Sequence, residues 1–275
     1  MRLLVQFGAV AVVAFGGNAI VGAMRWNVPG TLVGGFATAA LSLYVYAWVV
    51  RRTERREPVE VALKGAAPAF GRGLVIGVVM FGAVISNIAF LGDYRVLGWG
   101  SVGGAVALLG FTAAAVAVEE LLFRGILFRI VEQRIGTWAS LVLTGVLFGA
   151  SHLFNEHATL WSGLAIAIEA GFMLAAAYAA TRTLWVPMGV HFGWNFAQGG
   201  IFGTSISGAD APRGLLDGVT SGPFLVSGGE FGPEASAYSV LAGVVVTLAF
   251  LWLARRRGNL VPPRRRSATA ATLAG

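Results

Sequence analysis

The chain has 275 residues, of which 56% are hydrophobic and only 12% are charged, and it contains no cysteine. A soluble domain has about 25% charged residues, and the apolar residues here form long runs. The composition therefore excludes a string of soluble domains and the short alternating segments of a β-barrel. The absence of cysteine excludes disulfides, thiolate metal sites and a cysteine nucleophile.

The apolar runs predict an all-α fold, a polytopic transmembrane helix bundle of about eight spans, because each run approaches the ~20 residues that a bilayer requires. The predicted spans are 3–24, 31–50, 74–92, 102–126, 138–155, 161–181, 184–203 and 236–253. We expect one transmembrane domain over residues 1–253 and a basic, disordered tail over 254–275. The first run is expected to be a retained span, since it is long for a signal peptide.

The formal net charge of +7 comes from residues at the ends of the predicted spans. If the N-terminus is cytoplasmic, eight spans place 17 of the 20 Lys and Arg residues on the cytoplasmic side and 3 on the other side. This asymmetry follows the positive-inside rule. We therefore expect a multi-pass protein of the cell (inner) membrane with both termini in the cytoplasm. The basic residues would contact lipid headgroups of the bilayer, and no nucleic-acid partner is expected.

Polar side chains interrupt four of the apolar segments. They are Glu119, Glu120 and Arg124 in the fourth span, His152 in the fifth, Glu169 in the sixth, and His191 and Asn195 in the seventh. An ionisable group in hydrocarbon costs about 2.5–3.5 kcal/mol on insertion scales. Such groups need a partner or a function.

A hairpin of the fourth and fifth spans would bring two of these groups together. If the chain turns near Gly136, Glu119 and His152 each lie roughly 22–24 Å from the tip, at ~1.5 Å per residue. Arg124 and Arg129 indicate that the tip protrudes into the cytoplasm. The sequence thus predicts that the level of Glu119 falls in the cytoplasmic half of the bilayer.

The seventh span can reach the same level. His191 lies ~13 Å from the cytoplasmic side and shares a helix face with Asn195, four residues later. A Glu, two His and an Asn in one cavity can deprotonate a water, orient it and stabilise an oxyanion. A histidine in a span is also commonly a hydrogen-bond donor between helices. Glu169 could line the cavity or bond a polar group on a neighbouring span.

Three short motifs on separate membrane helices resemble those of the CAAX protease and bacteriocin-processing (CPBP, or Abi) family of intramembrane proteases, which are related to the Ras-converting endopeptidase. The motifs are EExxxR, FxxxH and HxxxN. They match Glu119-Glu120-Arg124, Phe148-His152 and His191-Asn195, in order, within a family-like core of about residues 100–203.

The resemblance implies an intramembrane endopeptidase with specific residue roles. Glu119 and His152 would activate the water that attacks a scissile carbonyl. His191 and Asn195 would stabilise the tetrahedral oxyanion. The substrate would be a membrane-associated peptide or protein. The eukaryotic relatives cut after a prenylated cysteine, whereas the heavy use of Ala, Gly and Arg indicates a GC-rich bacterial gene, for which prenylation is not expected.

Beyond the catalytic roles, the resemblance also bears on two supporting residues and on a possible metal ion. Glu120 and Arg124 are spaced i, i+4 with the acid first, the favourable order for a helix ion pair, and the resemblance gives them a supporting role. The family is commonly described as metalloproteases, and His152, His191 and Glu119 could hold Zn²⁺ with an open water position. No HExxH motif is present, and a metal-free mechanism fits the same residues.

Two other classes of function are compatible with the sequence. Some relatives are linked to bacteriocin self-protection, so a non-proteolytic immunity or membrane scaffold protein is an alternative. A proton-coupled carrier could use Glu119, Glu169 and the histidines as a relay. The absence of an internal repeat counts against a carrier of the inverted-repeat type. No oligomeric state is predicted.

Overall fold

The structure is a computed structural model that describes residues 1–24, 26–209 and 211–264. Its α-helices are α1 (Arg2–Ala23), α2 (Val28–Glu54), α3 (Ala66–Phe90), α4 (Val102–Glu120), α5 (Arg129–Ser151), α6 (Leu160–Ile166), α7 (Met173–Thr181), α8 (Trp185–Asn195), α9 (Phe224–Ser227) and α10 (Ala237–Arg256). Two antiparallel strands, β1 (Tyr94–Trp99) and β2 (Leu216–Thr220), form a small sheet at one end of the bundle. The predicted all-α membrane helix bundle is confirmed.

Within the part of the chain that the structure describes, six helical segments are long and apolar enough to cross a membrane. One of them, Val102–Phe154, is broken at Gly136, where φ is 79° and ψ is 169°. The rings of Phe123 and Phe148 lie 5.0 Å apart, so the chain turns back on itself at Gly136 and this segment supplies two crossings. The predicted hairpin with its tip at Gly136 is confirmed, and the chain is a multi-pass membrane protein.

Three helices continue through π-helical segments. Leu121–Phe128 joins α4 to α5, Ala167–Phe172 joins α6 to α7, and Phe196–Ile201 follows α8. Such π-helical turns are rare and occur frequently at functional sites. Each of the three contains, or directly follows, one of the polar residues that the sequence analysis singled out.

Glycines allow α3 and α8 to approach each other backbone to backbone. A Cβ atom on Gly77 would lie 2.1 Å from the carbonyl oxygen of Val190, and one on Gly73 would lie 2.3 Å from that of Val186. Small residues at helix contacts are the usual means by which membrane helices pack closely, because lipid provides no hydrophobic driving force between them. This contact fixes α8, and with it the two polar residues of the seventh span.

We expect Gly77→Ala to lower the free energy of unfolding by about 1–3 kcal/mol, because the added methyl group must push two helix backbones apart. Gly82 lies on the same helix, and a Cβ there would meet nothing within 4 Å. Gly82→Ala is therefore the matched control and should unfold at the wild-type temperature or above. Thermal unfolding of the purified proteins in detergent measures both effects. Equal unfolding temperatures for the two variants would contradict the packing described.

One end of the bundle, here called the arginine-rich end, comprises the connections 55–65 and 182–184, the turn at Gly136 and the segment 257–264. The backbone N–H of Leu184 donates to the carbonyl of Glu60 at 2.8 Å, and that of Thr137 donates to the carbonyl of Val261 at 2.9 Å. Of the predicted tail, residues 257–264 lie against this end, and residues 265–275 lie outside the described residues.

A buried ion cluster fills the space between helices at the arginine-rich end. The Arg129 guanidinium donates to both carboxylate oxygens of Glu54, at 2.8 and 2.9 Å, and to the carbonyl of Gly125 at 2.6 Å. The hydroxyl of Tyr46 donates to Glu60 at 2.5 Å. These side chains satisfy one another and connect α2, α5, the segment Leu121–Phe128 and the 55–65 connection.

The other end, here called the opposite end, comprises the connections 91–101, 152–159 and 202–236, described apart from residue 210. The side-chain amide of Asn155 donates to the carbonyl of Ser207 at 3.0 Å, and the backbone N–H of Gly208 donates to the carbonyl of Phe231 at 2.8 Å. These contacts hold the long 202–236 connection against the 152–159 connection.

Candidate active site

The predicted polar residues of three helices meet at one cavity. Its volume is about 590 Å³, and its wall includes Glu119 from α4, His152 from the end of α5, and His191 and Asn195 from α8. The Glu119 side chain is 30% exposed, and its Oε2 atom has no hydrogen-bond partner among the described residues. That oxygen is itself buried and faces Nε2 of His191 at 3.8 Å, so its accepting capacity is unused among the described residues.

Glu120 is directed away from this cavity, about 100° around the helix from its neighbour. Its side chain is fully buried, and Oε1 lies 2.9 Å from Nδ1 of His191 and accepts a hydrogen bond of 2.8 Å from Arg124. The predicted Glu120–Arg124 ion pair is thus present. The contact with His191 was missed, because it depends on how α8 docks beside α4 and not on spacing along one helix.

Arg124 links the ion pair to two further elements. Its guanidinium donates to the carbonyl of Ala170 in the second π-helical segment at 3.1 Å, and it lies 4.4 Å from the centre of the Phe148 ring on α5. Only 2% of its side chain is exposed. Arg124 therefore couples the position of Glu120, and through it His191, to the packing of the surrounding helices.

The two histidines are oriented by different acceptors. Nδ1 of His152 lies 2.9 Å from the carbonyl oxygen of Phe148, and a carbonyl can only accept, so Nδ1 carries the hydrogen. When the ring is neutral, Nε2 of His152 is then a bare acceptor. His191 is held through Nδ1 by Glu120, and its Nε2 atom lies 3.8 Å from Oε2 of Glu119.

The cavity opens toward the opposite end of the bundle. Its wall includes Phe154, Asn155 and Ala209 from the connections at that end. It therefore lies on the side away from the hairpin tip, whereas the sequence analysis placed the level of Glu119 in the cytoplasmic half of the bilayer. His152 is 16 residues past Gly136, or ~24 Å along the helix, and this is most of the ~30 Å of a bilayer's hydrocarbon core. Glu119 and His152 do share a level, as predicted, but that level is nearer the opposite end.

A second, much smaller cavity lies behind the histidines. Glu169 and Glu234 line it together with His152 and His191, and both carboxylates are almost fully buried. Oε2 of Glu234 accepts hydrogen bonds from the N–H and the hydroxyl of Ser207, at 2.7 and 2.6 Å. The sequence analysis missed Glu234, because a glutamate in a Gly- and Pro-rich connection is usually solvated.

Glu234 gives a pH-dependent prediction. Burial raises the pKa of its carboxyl above the usual 4.5, although the Ser207 hydrogen bonds and both histidines act in the opposite direction. A carboxyl whose pKa is raised by folding stabilises the fold fully below its unfolded pKa, and that stability is lost as the pH rises through the folded pKa. The unfolding temperature of the wild type should therefore fall above about pH 4.5.

Glu234→Gln should reduce that fall, because an amide oxygen can still accept both Ser207 hydrogen bonds but carries no charge. The measurement is the unfolding temperature in detergent between about pH 4.5 and 8. Glu230→Gln is a control on the same connection, since the Glu230 side chain is 84% exposed. A Glu234→Gln profile as steep as that of the wild type would contradict the assignment.

Two histidines and a glutamate in one cavity wall are a candidate zinc site. Nε2 of each histidine and Oε2 of Glu119 have the right chemistry for zinc. Within residues 1–24, 26–209 and 211–264, however, no three His, Asp or Glu side chains lie in an arrangement that could hold a metal ion. As placed in the structure, these side chains do not fit a zinc ion.

The chain is similar to a family model and to a protein of known sequence. Residues 101–197 match the family model described as type II CAAX prenyl endopeptidase Rce1-like. The protein named "Putative membrane peptidase YdiL" of Bacillus subtilis (strain 168) is 25% identical over 155 residues, which are 51% of this chain and 61% of that protein. The match thus spans about three fifths of the relative's length.

No solved structure matches the chain. The matched region 101–197 includes all six predicted site residues, from Glu119 to Asn195. The resemblance to the CAAX protease and bacteriocin-processing family, predicted from three short motifs, is confirmed.

Proposed function

We propose that this protein is an intramembrane endopeptidase of the CAAX protease type, which hydrolyses a peptide bond in a membrane-proximal peptide. The observation that carries the proposal is the convergence of Glu119, His152, His191 and Asn195 on one cavity of about 590 Å³. The protein would be a multi-pass protein of the inner membrane with both termini in the cytoplasm.

Glu119 and His152 are the proposed bases. The Oε2 atom of Glu119, which lacks a hydrogen-bond partner among the described residues, accepts a proton from the attacking water. Nε2 of His152 accepts the second hydrogen bond of that water, since Nδ1 is occupied by the Phe148 carbonyl. A positioned general base of this kind contributes typically ~10²–10⁴-fold to a rate. The proton then passes to the leaving amine.

His191 and Asn195 are the proposed oxyanion donors. His191 is positioned through Nδ1 by Glu120, 2.9 Å away, and directs Nε2 toward the oxyanion. The Asn195 amide, one turn later on α8, supplies a second N–H. Donors fixed in advance at the position of developing charge are worth ~10²–10³-fold each. Glu120 and Arg124 act as positioning residues through His191.

The proposal is tested with the purified protein in detergent and a library of fluorogenic peptides, each with one apolar membrane-spanning segment. We expect the wild type to cleave some members, with new termini identified by mass spectrometry. His191→Ala and Asn195→Ala should lower kcat at nearly unchanged KM, because both act on the transition state. Cleavage by these variants at the wild-type rate would overturn the assignment of the oxyanion donors.

A complete lack of cleavage by the wild type across the library would favour the immunity or scaffold alternative. Metal analysis of the same preparation, before and after treatment with a chelator, is a separate readout. The proposed mechanism requires that chelation leaves the rate unchanged.

A further inference from the structure

A polar cleft at the opposite end adjoins the candidate active site. Its volume is about 480 Å³, and its wall includes Glu156, His157, Ser205, Ala209, Arg213 and Glu230. Glu156 and Ala209 line both this cleft and the active-site cavity. The cleft and the active-site cavity therefore lie side by side, with Glu156 and Ala209 at their common border. One extended polypeptide could occupy both.

The two spaces differ in chemistry. The wall of the active-site cavity includes apolar side chains from two spans, among them Val21 of α1 and Phe111 of α4. The wall of the cleft is formed by connections and contains ionised side chains, and the imidazole of His157 lies 3.1 Å from the carboxylate of Glu230. The cavity suits a chain that is leaving the lipid, and the cleft suits a hydrated chain.

Two cavities at the arginine-rich end, of about 420 and 510 Å³, include none of the candidate active-site residues in their walls. The Arg129 cluster at this end lies between α2, α5 and the segment Leu121–Phe128, and the salt bridge from Arg182 to Glu132, at 2.5 Å, ties the 182–184 connection to the start of α5. The fully buried Glu120 and its partner Arg124 lie between this cluster and the cavity.

The distribution of basic residues assigns the two ends to the two sides of the membrane. Among the described Lys and Arg residues, only Arg95 and Arg213 belong to the opposite end. An excess of Lys and Arg marks the cytoplasmic side of a membrane protein. The end at which both spaces open is then the non-cytoplasmic one.

We propose that the substrate enters from the non-cytoplasmic side, with its hydrophilic segment in the polar cleft and its cleavage site where the chain emerges from the membrane. This rests on the proposed function and names its substrate class. The substrate is a membrane-anchored polypeptide with a hydrated segment outside the cytoplasm.

The side of the membrane is tested by cysteine labelling, for which this chain has no background because it contains no cysteine. Single variants Ser205→Cys in the cleft, Ser221→Cys elsewhere at the opposite end, and Glu57→Cys at the arginine-rich end are expressed in bacterial cells. A membrane-impermeant maleimide is added to cells with a permeabilised outer membrane. We expect the first two to be labelled in intact cells and Glu57→Cys only after lysis. The reverse pattern would overturn the proposal, whether or not the protein is an enzyme.

The cleft is tested by blocking it in detergent. A bulky maleimide on Ser205→Cys should raise KM about tenfold for a cleaved library peptide that carries a hydrophilic extension, and should leave kcat nearly unchanged. The same peptide without the extension should be cleaved as before. The same adduct on Ser221→Cys, away from the cleft, is the matched control.

The outcomes separate the two proposals. If the Ser205 adduct leaves cleavage of the extended peptide unchanged, the cleft is not a substrate site although the protein is a protease. If the wild type cleaves nothing, the proposed function fails and the substrate inference fails with it, while the labelling result still reports which side the cavity faces.

Discussion

Glu119→Gln should lower kcat by at least about 100-fold, because the amide cannot accept the proton of the attacking water and a positioned general base contributes ~10²–10⁴-fold. The fold should hardly change. The side chain is 30% exposed, and its nearest ionic partner, Nε2 of His191, is 3.8 Å away. The measurements are initial rates on a cleaved peptide and the unfolding temperature of the same preparation.

The control for this prediction is Glu57→Gln, which removes a carboxylate at the other end of the bundle. Glu57 pairs with Arg51, and its side chain is 75% exposed, so both rate and unfolding temperature should stay at wild-type values. If Glu119→Gln retained the wild-type kcat, Glu119 would not be the base. If it lost activity and fold together, the loss would be structural.

Arg124→Met should destabilise the protein by about 3–5 kcal/mol, because removal of one partner of a buried ion pair leaves the other charge uncompensated. Glu120 is fully buried, and Arg124 is its ion-pair partner at 2.8 Å. The carbonyl of Ala170 also loses a donor. Reversible unfolding of the purified protein in mixed detergent micelles gives the free energy.

A double variant separates the charge from the packing. In Glu120→Gln/Arg124→Met no buried charge is left alone, so its destabilisation should be clearly smaller than that of Arg124→Met. Arg124→Lys keeps the charge but not the planar guanidinium over Phe148, and should fall between wild type and Arg124→Met. A double variant that is less stable than Arg124→Met would show that the destabilisation of Arg124→Met does not come from the uncompensated charge of Glu120.

Much of the fold was predictable because the bilayer imposes length and hydrophobicity on every span. Six long apolar helices and the reversal at Gly136 lie where the apolar runs and the turn residues placed them. The strands β1 and β2 were not predicted. They pair residues more than 100 positions apart, from Tyr94 with Thr220 onward, and no local pattern carries such information.

The convergence of four polar residues on one cavity was predictable, but their contacts with neighbouring side chains were not. Glu119, His152, His191 and Asn195 do line one cavity, which motif order and depth along the helices were enough to suggest. The bond from His191 to Glu120, and the burial of Glu234, depend on the docking of α8 and of the 202–236 connection. The sequence analysis located Glu119 by its distance from the hairpin tip, and that distance does not show toward which end the cavity opens.

The π-helical segment Leu121–Phe128 has a consequence for how the sequence can change. A π-helical turn holds one residue more than an α-helical turn, so loss of one residue there would let the segment close into a continuous α-helix whose flanks keep nearly their present directions. The residues inside the wide turn would shift instead, and Glu120 and Arg124 would become i, i+3 neighbours in place of i, i+4. Deletion of Leu122 should therefore lower activity through the altered Glu120–Arg124 contact while α4 and α5 still form the hairpin. The wide turn is a position at which this chain can lose a residue and keep its hairpin.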